Sequence, residues 1–309
     1  MGESKADILD GLGTDHPRVA RWRRVPLSDS LPTRRAEVHE FMETRGLDFP
    51  VVLKPDVGQR GSGVQVLESP AALEAALEAQ AVDGVLQEYV AGVELGVFWV
   101  CDPDQDRGRV TSLTEKILPE LGGDGTRTLE ELILSDERAV CMARTYFSAN
   151  QDRLQEIPAA GERVRLVELG THARGAIFLD GARWNTPELA EAIEELSQGF
   201  EGFYFGRYDV RGASFEAIAR GDFHVLELNG VTAEETHVYD PSHSLLYAWK
   251  TLMAQWSTAF TVARKNLRQG RGEPTSLLGV LAEFVRYRRA QHAHGQAGRG
   301  ASEREPGRH

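Results

Sequence analysis

A lysine set inside an apolar strand and followed closely by a glycine-rich turn is what most narrows the fold of this chain. The segment Phe49-Pro-Val-Val-Leu-Lys-Pro55 reads as a buried strand, Gly58-Gln-Arg-Gly-Ser-Gly63 as a loop, and Val64-Gln-Val-Leu-Glu68 as a second strand. Glycines let backbone N–H groups come close to an anion and take dihedrals closed to other residues. A Walker loop needs Lys and then Ser or Thr directly after the last glycine, whereas Val64 and Gln65 follow here. A dinucleotide fingerprint needs a glycine turn that opens a helix, and this one runs into a strand. What is left is a β-hairpin. Either its tip (Gly61, Ser62, Gly63) folds over phosphates with Lys54 on the incoming strand, or it is a plain turn. Lys54 weighs toward the first, because a buried ammonium needs an anionic partner.

A second constraint comes from Gly206-Arg-Tyr-Asp-Val-Arg211 and Phe223-His-Val-Leu-Glu-Leu-Asn229. Side chains alternate along a strand, so Arg207, Asp209 and Arg211 share one face, as do Glu227 and Asn229. If the two strands pair, Asp209, Glu227 and Asn229 converge. Two carboxylates brought together repel unless a proton or cation intervenes. An oxygen-only donor set suits magnesium, with manganese as a substitute, and such sites bridge substrate phosphates. Arg207 beside them is placed to stabilise a transferring phosphoryl group. The competing reading is a solvent-facing strand edge, which the apolar flanks of both strands oppose.

The chain is acidic, with a net charge of −12 over 309 residues, which disfavours a nucleic-acid partner. Only two cysteines occur, Cys101 and Cys141, outside any CxxC spacing, so a disulfide framework or zinc site is not expected. No run approaches the length of a membrane span, and a cytoplasmic setting is the default. Five segments are expected: an N-terminal segment 1–45, a small lobe 46–93, a large lobe 94–245, C-terminal helices 246–290 and a disordered tail 291–309. Within them we expect a helix over Thr33–Arg45 capped by Thr33, and a helix opened by Ser69 and Pro70. A long helix over Thr128–Phe147 and an amphipathic one over Thr186–Phe200 follow, the latter with Leu189, Ile193 and Leu196 on one face.

Four segments, FPVVLKPDVGQRGSGV, LQEYVAGVELGV, GRYDVR and LELNGVT, occur in the order found in the ATP-grasp superfamily. Over about residues 1–245 the chain resembles D-alanine–D-alanine ligase-like carboxylate–amine ligases. The resemblance implies an α+β fold with ATP held between two lobes, C-terminal helices after them, and an ADP-forming ligation through an acyl phosphate. The substrates implied are a small-molecule carboxylate and an amine or thiol. On this likeness Lys54 contacts the α- and β-phosphates, Gln87 faces the adenine amino group, and the Glu88–Val90 backbone meets adenine. Glu94 holds the ribose, Lys116 and Arg207 act at the transferred phosphoryl, and Asp209, Glu227 and Asn229 bind magnesium. Lys5 resembles a further phosphate lysine, and His172 and Arg174 add positive charge. The loop Gly230–Asp240, with Glu234, Glu235, His237 and Tyr239, is expected beside the acceptor pocket or else as a capping loop. Family members usually carry a preceding Rossmann-like domain, and this sequence is expected to start after it: either the natural chain is short, or its true start lies upstream, or a partner supplies that face, with a homodimer as a further alternative. A small-molecule kinase and a non-catalytic ATP-binding module are the alternative functions.

Overall fold

In a computed structural model the described residues are 4–58, 61–167, 170, 175–274, 276, 278–282 and 285. The chain divides into two compact units, one of residues 1–14, 21–89 and 263–309, the other of residues 15–20 and 90–262.

The first unit opens with helix α1 (Lys5–Gly11), strand β1 (Trp22–Val25) and helix α2 (Leu31–Arg45). The sequence reading found neither α1 nor β1, because neither is long enough to show a period. Helix α2 starts two residues before its expected position. Ser30 is its N-cap, accepting from the Thr33 N–H, and Gly46 closes it in the left-handed conformation. Thr33, the expected cap, lies in the first turn. Strands β2 (Val51–Pro55) and β3 (Gln65–Leu67), helix α3 (Pro70–Ala79, capped by Ser69) and strand β4 (Gly84–Glu88) complete the unit.

Its sheet runs β1-β4-β2-β3, antiparallel throughout. Val51, Leu53 and Leu86 face one way and bury against Val38, Phe41, Leu73 and Leu77 of the two helices. Strand alternation therefore turns Lys54 and Gln87 to the other face, where they are diagonal neighbours across β2 and β4.

The second unit follows with β5 (Val93–Val100), β6 (Arg109–Ile117), β7 (Glu120–Gly122), α4 (Leu129–Ser135), α5 (Ala143–Ala149), β8 (Arg163–Arg165) and β9 (Ile177–Asp180). The single helix expected over Thr128–Phe147 is broken. Asp136 takes the Arg138 and Ala139 N–H groups on its carboxylate, an alternative to helical bonding that ends α4. Helix α6 (Pro187–Gln198) buries Leu189, Ile193 and Leu196, as its amphipathic pattern requires. Strand β10 (Phe205–Gly212), helix α7 (Phe215–Ala219), strand β11 (His224–Asn229) and helix α8 (Leu245–Arg268) follow in chain order.

The main sheet has the order β11-β10-β5-β6-β9, all antiparallel, and β7 pairs β8 separately. With three sheets of antiparallel strands among the described residues and helices segregated from them, the fold is α+β, as expected. No helix among the described residues is long and apolar enough to cross a membrane.

Candidate active site

The charged residues of the main sheet line up by register. Arg211 lies opposite Glu94, which lies opposite Lys116; Glu227 lies opposite Asp209, which lies opposite Gly96; Asn229 lies opposite Arg207. All of these side chains stand on one face. The other face carries Leu95, Val97, Tyr208 and Val210, all buried. A bulge after Asp209 shifts the β10–β11 register, so Val210 faces Val225. Bulges of this kind re-aim side chains beside functional sites.

The distances make this row one connected array. Lys116 Nζ is 2.6 Å from Glu94 Oε1 and 2.9 Å from Asp209 Oδ2. Arg211 donates to the other Glu94 oxygen at 2.8 Å and to the Val90 carbonyl at 3.0 Å. Arg207 Nε donates to Asp209 Oδ1 at 2.9 Å, and its NH1 reaches the Glu234 carbonyl at 3.1 Å. Asn229 Nδ2 lies 3.4 Å from Asp209 Oδ2. Lys116, Asp209 and Arg211 are buried.

Burial alone works to neutralise each of these groups, and their mutual attraction overrides it. Asp209, desolvated yet flanked by Arg207 and Lys116, is held down at about 2. Glu94 is half-buried, and against its desolvation Lys116 and Arg211 keep its pKa below the ordinary carboxylate value. Desolvation disfavours the Lys116 ammonium, but Asp209 and Glu94 together raise its pKa. Mutual attraction thus holds Glu94 and Asp209 toward the carboxylate form and Lys116 toward the ammonium form.

The magnesium donors proposed from sequence can be tested on this geometry. Among the described residues no group of three His, Cys, Asp or Glu forms a metal-binding cluster. The candidate set is instead two carboxylates and an amide, Asp209, Glu227 and Asn229, on paired strands. These hard oxygen donors fit magnesium, which needs few protein ligands when phosphates and water supply the rest. Asp209 already accepts from Arg207 and Lys116, so a cation would share that carboxylate with them.

In the first unit Lys54 is buried and donates to Gln87 Oε1 at 2.8 Å. The Gln87 carbonyl expected to face adenine is thus already one lone pair committed. Lys5 is also buried, and its Nζ donates to the Gly58 carbonyl at 3.1 Å, tying α1 to the root of the glycine turn. Gly61 and Gly63 have φ of +70° and +73°, and a Cβ on Gly63 would come within 2.7 Å of Pro55 Cγ. Ser62 between them is exposed. The Glu88 carboxylate takes both Arg21 Nε, at 2.8 Å, and Arg21 NH2, at 2.6 Å, so its side chain joins β4 to the chain before β1.

His172 and Arg174 lie outside the described residues. Arg211 was read from sequence only as a face-sharing neighbour, yet it closes the array on Glu94. Gly96 was not singled out at all. A Cβ there would press on Arg207 Cδ at 3.3 Å, so the glycine gives the Arg207 side chain room to lie across β5. Only the register, which pairs Gly96 with Asp209, reveals this. In the Gly230–Asp240 loop, Glu235 and His237 are buried, with Glu235 accepting from Thr111 Oγ1 at 2.8 Å, while Tyr239 bonds Glu234 at the surface.

No protein-family model matches the chain, and no curated protein matches it. Solved structures do. It is similar to a bifunctional glutathione synthetase from Pasteurella multocida, at 14% identity and a TM-score of 0.42, over 82% of this chain and 35% of that one. It is similar to the D-alanine–D-alanine ligase of Bacillus anthracis complexed with ATP, at 16% identity and a TM-score of 0.42, over 87% and 68% of the two chains. A third is the ATP-grasp ligase PsnB complexed with a minimal precursor, at 13% identity and a TM-score of 0.43, over 83% and 60%. The chain spans 35% to 68% of the length of these three.

Proposed function

We propose that this protein is an ATP- and magnesium-dependent ligase that forms ADP, activating a carboxylate as its acyl phosphate for attack by an amine or thiol. The observation that carries the reading is the ion-paired array of Lys116, Asp209 and Arg211, which are buried, with Glu94 and Arg207, which are half-buried, on one sheet face. Maintaining several buried charges is expensive, and a fold with only structural needs fills such positions with apolar residues.

Phosphoryl transfer asks little covalent chemistry of a protein and much positioning and charge stabilisation. Lys116 and Arg207 supply fixed positive charge where the transferred phosphoryl would develop negative charge. Magnesium, held by Asp209, Glu227 and Asn229, would neutralise phosphate oxygens. Lys54 and Lys5 add positive charge toward the nucleotide phosphates, and the Gly61–Gly63 turn offers backbone N–H groups. Gln87 and the Glu88–Val90 backbone serve the adenine, and Glu94 the ribose. The Gly230–Asp240 loop meets the acceptor. The reactants are small molecules, in a reducing compartment such as the cytoplasm, where the unpaired Cys101 and Cys141 would persist.

The test is product analysis with MgATP and pooled carboxylates and amines. ADP and phosphate are expected, with hydroxylamine diverting the acyl phosphate to a hydroxamate. AMP and pyrophosphate would overturn the mechanism. ADP with a phosphorylated product that resists hydroxylamine, and with no free phosphate released, would make the protein a kinase.

A further inference from the structure

The sheet face that carries the array holds a second group of titratable side chains toward its β9 edge. Asp209 lies opposite Gly96, Gly96 opposite Thr114, and Thr114 opposite Asp180, so Asp180 stands in one cross-strand row with Asp209. Three strand spacings put it about 14 Å away. The Gly230–Asp240 loop is tied down along that interval. Arg207 NH1 holds the Glu234 carbonyl at 3.1 Å, and Thr236 Oγ1 meets Thr114 Oγ1 at 3.1 Å. At the far end His243 Nε2 lies 2.9 Å from Asp180 Oδ2, while Asp180 Oδ1 takes the Ala182 N–H at 2.8 Å. Asp240 joins the two residues. Its carboxylate takes the Asp180 N–H at 2.7 Å and the Ser242 N–H at 2.8 Å, and its carbonyl accepts the His243 N–H at 2.9 Å. The Tyr247 ring of α8 packs on His243 with centroids 4.1 Å apart, and its hydroxyl meets Nε2 of buried His237 at 3.1 Å.

These contacts make His243 an oriented base. A carboxylate can only accept, so Nε2 of the neutral ring carries the proton and Nδ1 keeps its lone pair. Nδ1 makes no hydrogen bond among the described residues, and the side chain is 19% exposed, so the ring is fixed at one nitrogen and reachable at the other. The charges acting around it are acidic. Glu235, Asp180 and Asp240 all pull on His237, and Asp180 and Glu235 act on Tyr247 as well. Neither of those two neighbours offsets them with positive charge. Desolvation lowers the His237 pKa toward the neutral ring, and burial raises Tyr247, so its hydroxyl stays protonated. Such surroundings favour an arriving ammonium and disfavour a thiolate.

On the ligase reaction proposed for this face, we infer that His243, positioned by Asp180, is the general base for the nucleophile, and that the nucleophile is an amine arriving as its ammonium. His243 Nδ1 takes one proton from the ammonium, and the freed lone pair attacks the carbonyl carbon of the acyl phosphate. The C–N bond forms, the bond from that carbon to the phosphate oxygen breaks, and phosphate leaves with the electron pair. The nitrogen's surplus proton goes with the departing phosphate. The test gives the full chain MgATP, pooled carboxylates and one of three nucleophiles: hydroxylamine, which is uncharged at neutral pH, pooled primary amines, or pooled thiols. Wild type should form hydroxamate and amide but no thioester. His243→Asn should slow amide formation at neutral pH by about 100-fold, the low end of general-base effects, and leave hydroxamate formation unchanged, because hydroxylamine has no proton to lose before it attacks. As pH rises and the amines lose their protons unaided, the variant should approach wild type. Asp180→Asn keeps an oxygen for the Ala182 N–H but offers His243 a donor, which moves the ring proton to Nδ1, so amide formation should fall in the same way. An amide rate unchanged in His243→Asn, an equal loss of hydroxamate and amide, or no recovery at high pH would overturn the inference. So would a wild type that makes hydroxamate but no amide, or that makes thioester. Absence of hydroxamate from wild type would remove the ligase reaction itself, and this inference with it.

Discussion

Lys116 has two carboxylate partners, and each of those has an arginine as well: Glu94 has Arg211 and Asp209 has Arg207. Removing the ammonium therefore leaves neither acid wholly without a cation. Breaking a buried pair costs about 3–5 kcal/mol, and the retained arginines place Lys116→Met at the low end, about 3 kcal/mol by urea denaturation. Turnover should vanish with it. Glu94→Gln added to Lys116→Met should recover part of the stability, because one surplus negative charge goes too; simple additivity in that double-mutant cycle would show that the pair is uncoupled. Asp209→Asn is the matching test of the metal ligand. Neutralising it should abolish ATP consumption, and unchanged consumption would remove Asp209 from the site. Gly96→Val probes space rather than charge. Its side chain would displace Arg207, so kcat should fall steeply, and stability should fall too, because buried Asp209 loses one of its two cations. A variant with wild-type kcat would show that Arg207 does not need its present path.

At the scale of elements, the cap of α2 separates what pattern alone can read from what it cannot. Ser30 and Thr33 are both acceptable caps by residue type. The structure chooses Ser30, whose Oγ accepts the Thr33 N–H. Ser30→Ala should cost about 1 kcal/mol and Thr33→Ala under about 0.5 kcal/mol, measured by thermal or urea unfolding. The reverse order would restore the cap first read from sequence. Elements with a strong period or a clear cap were legible: α6 from Leu189, Ile193 and Leu196, and α3 from Ser69 and Pro70, whereas the pairing of β10 with β11 entered only as a condition, which the register meets. Those that escaped have a local cause. Helix α1 is seven residues long, β1 four, and the break after α4 depends on a single Asp136 side chain taking two backbone N–H groups. The site divides the same way. Single-strand alternation put Arg207, Asp209 and Arg211 on one face. That Glu94 and Lys116 meet Asp209, and that Gly96 must stay small, depends on which strands are neighbours, and no one strand encodes that.

For the whole molecule, the titratable groups whose pKa values shift on folding define a window of pH in which the fold keeps its full stability. Three of them set its edges. Desolvation lowers the His237 pKa against the pull of Glu235 and Asp180, so the folded protein favours the neutral ring. Its contribution is present above the unfolded histidine value, about 6.5, and is lost as pH falls through the lower folded value. Asp240, held at about 2 by the Asp180 N–H and by Ser242, contributes above the unfolded carboxylate value and is lost as pH falls toward about 2. On the alkaline side, burial raises Tyr208, whose hydroxyl meets Ser197 Oγ at 2.9 Å under α6. A raised acid of this kind contributes fully below the unfolded tyrosine value, about 10, and the contribution is lost as pH climbs above it, because the unfolded chain ionises first. The thermal midpoint should thus be flat between about pH 7 and 10 and fall on both sides. Tyr208→Phe isolates the alkaline limb. Ser197 still donates to the Ile193 carbonyl, at 2.7 Å, so no buried donor is orphaned and the cost at neutral pH should be about 1 kcal/mol. Above pH 10, however, the variant should lose stability less steeply than wild type, and the two curves should converge. Parallel curves would mean that the alkaline loss comes from other groups and that Tyr208 ionises no later in the folded state than in the unfolded chain.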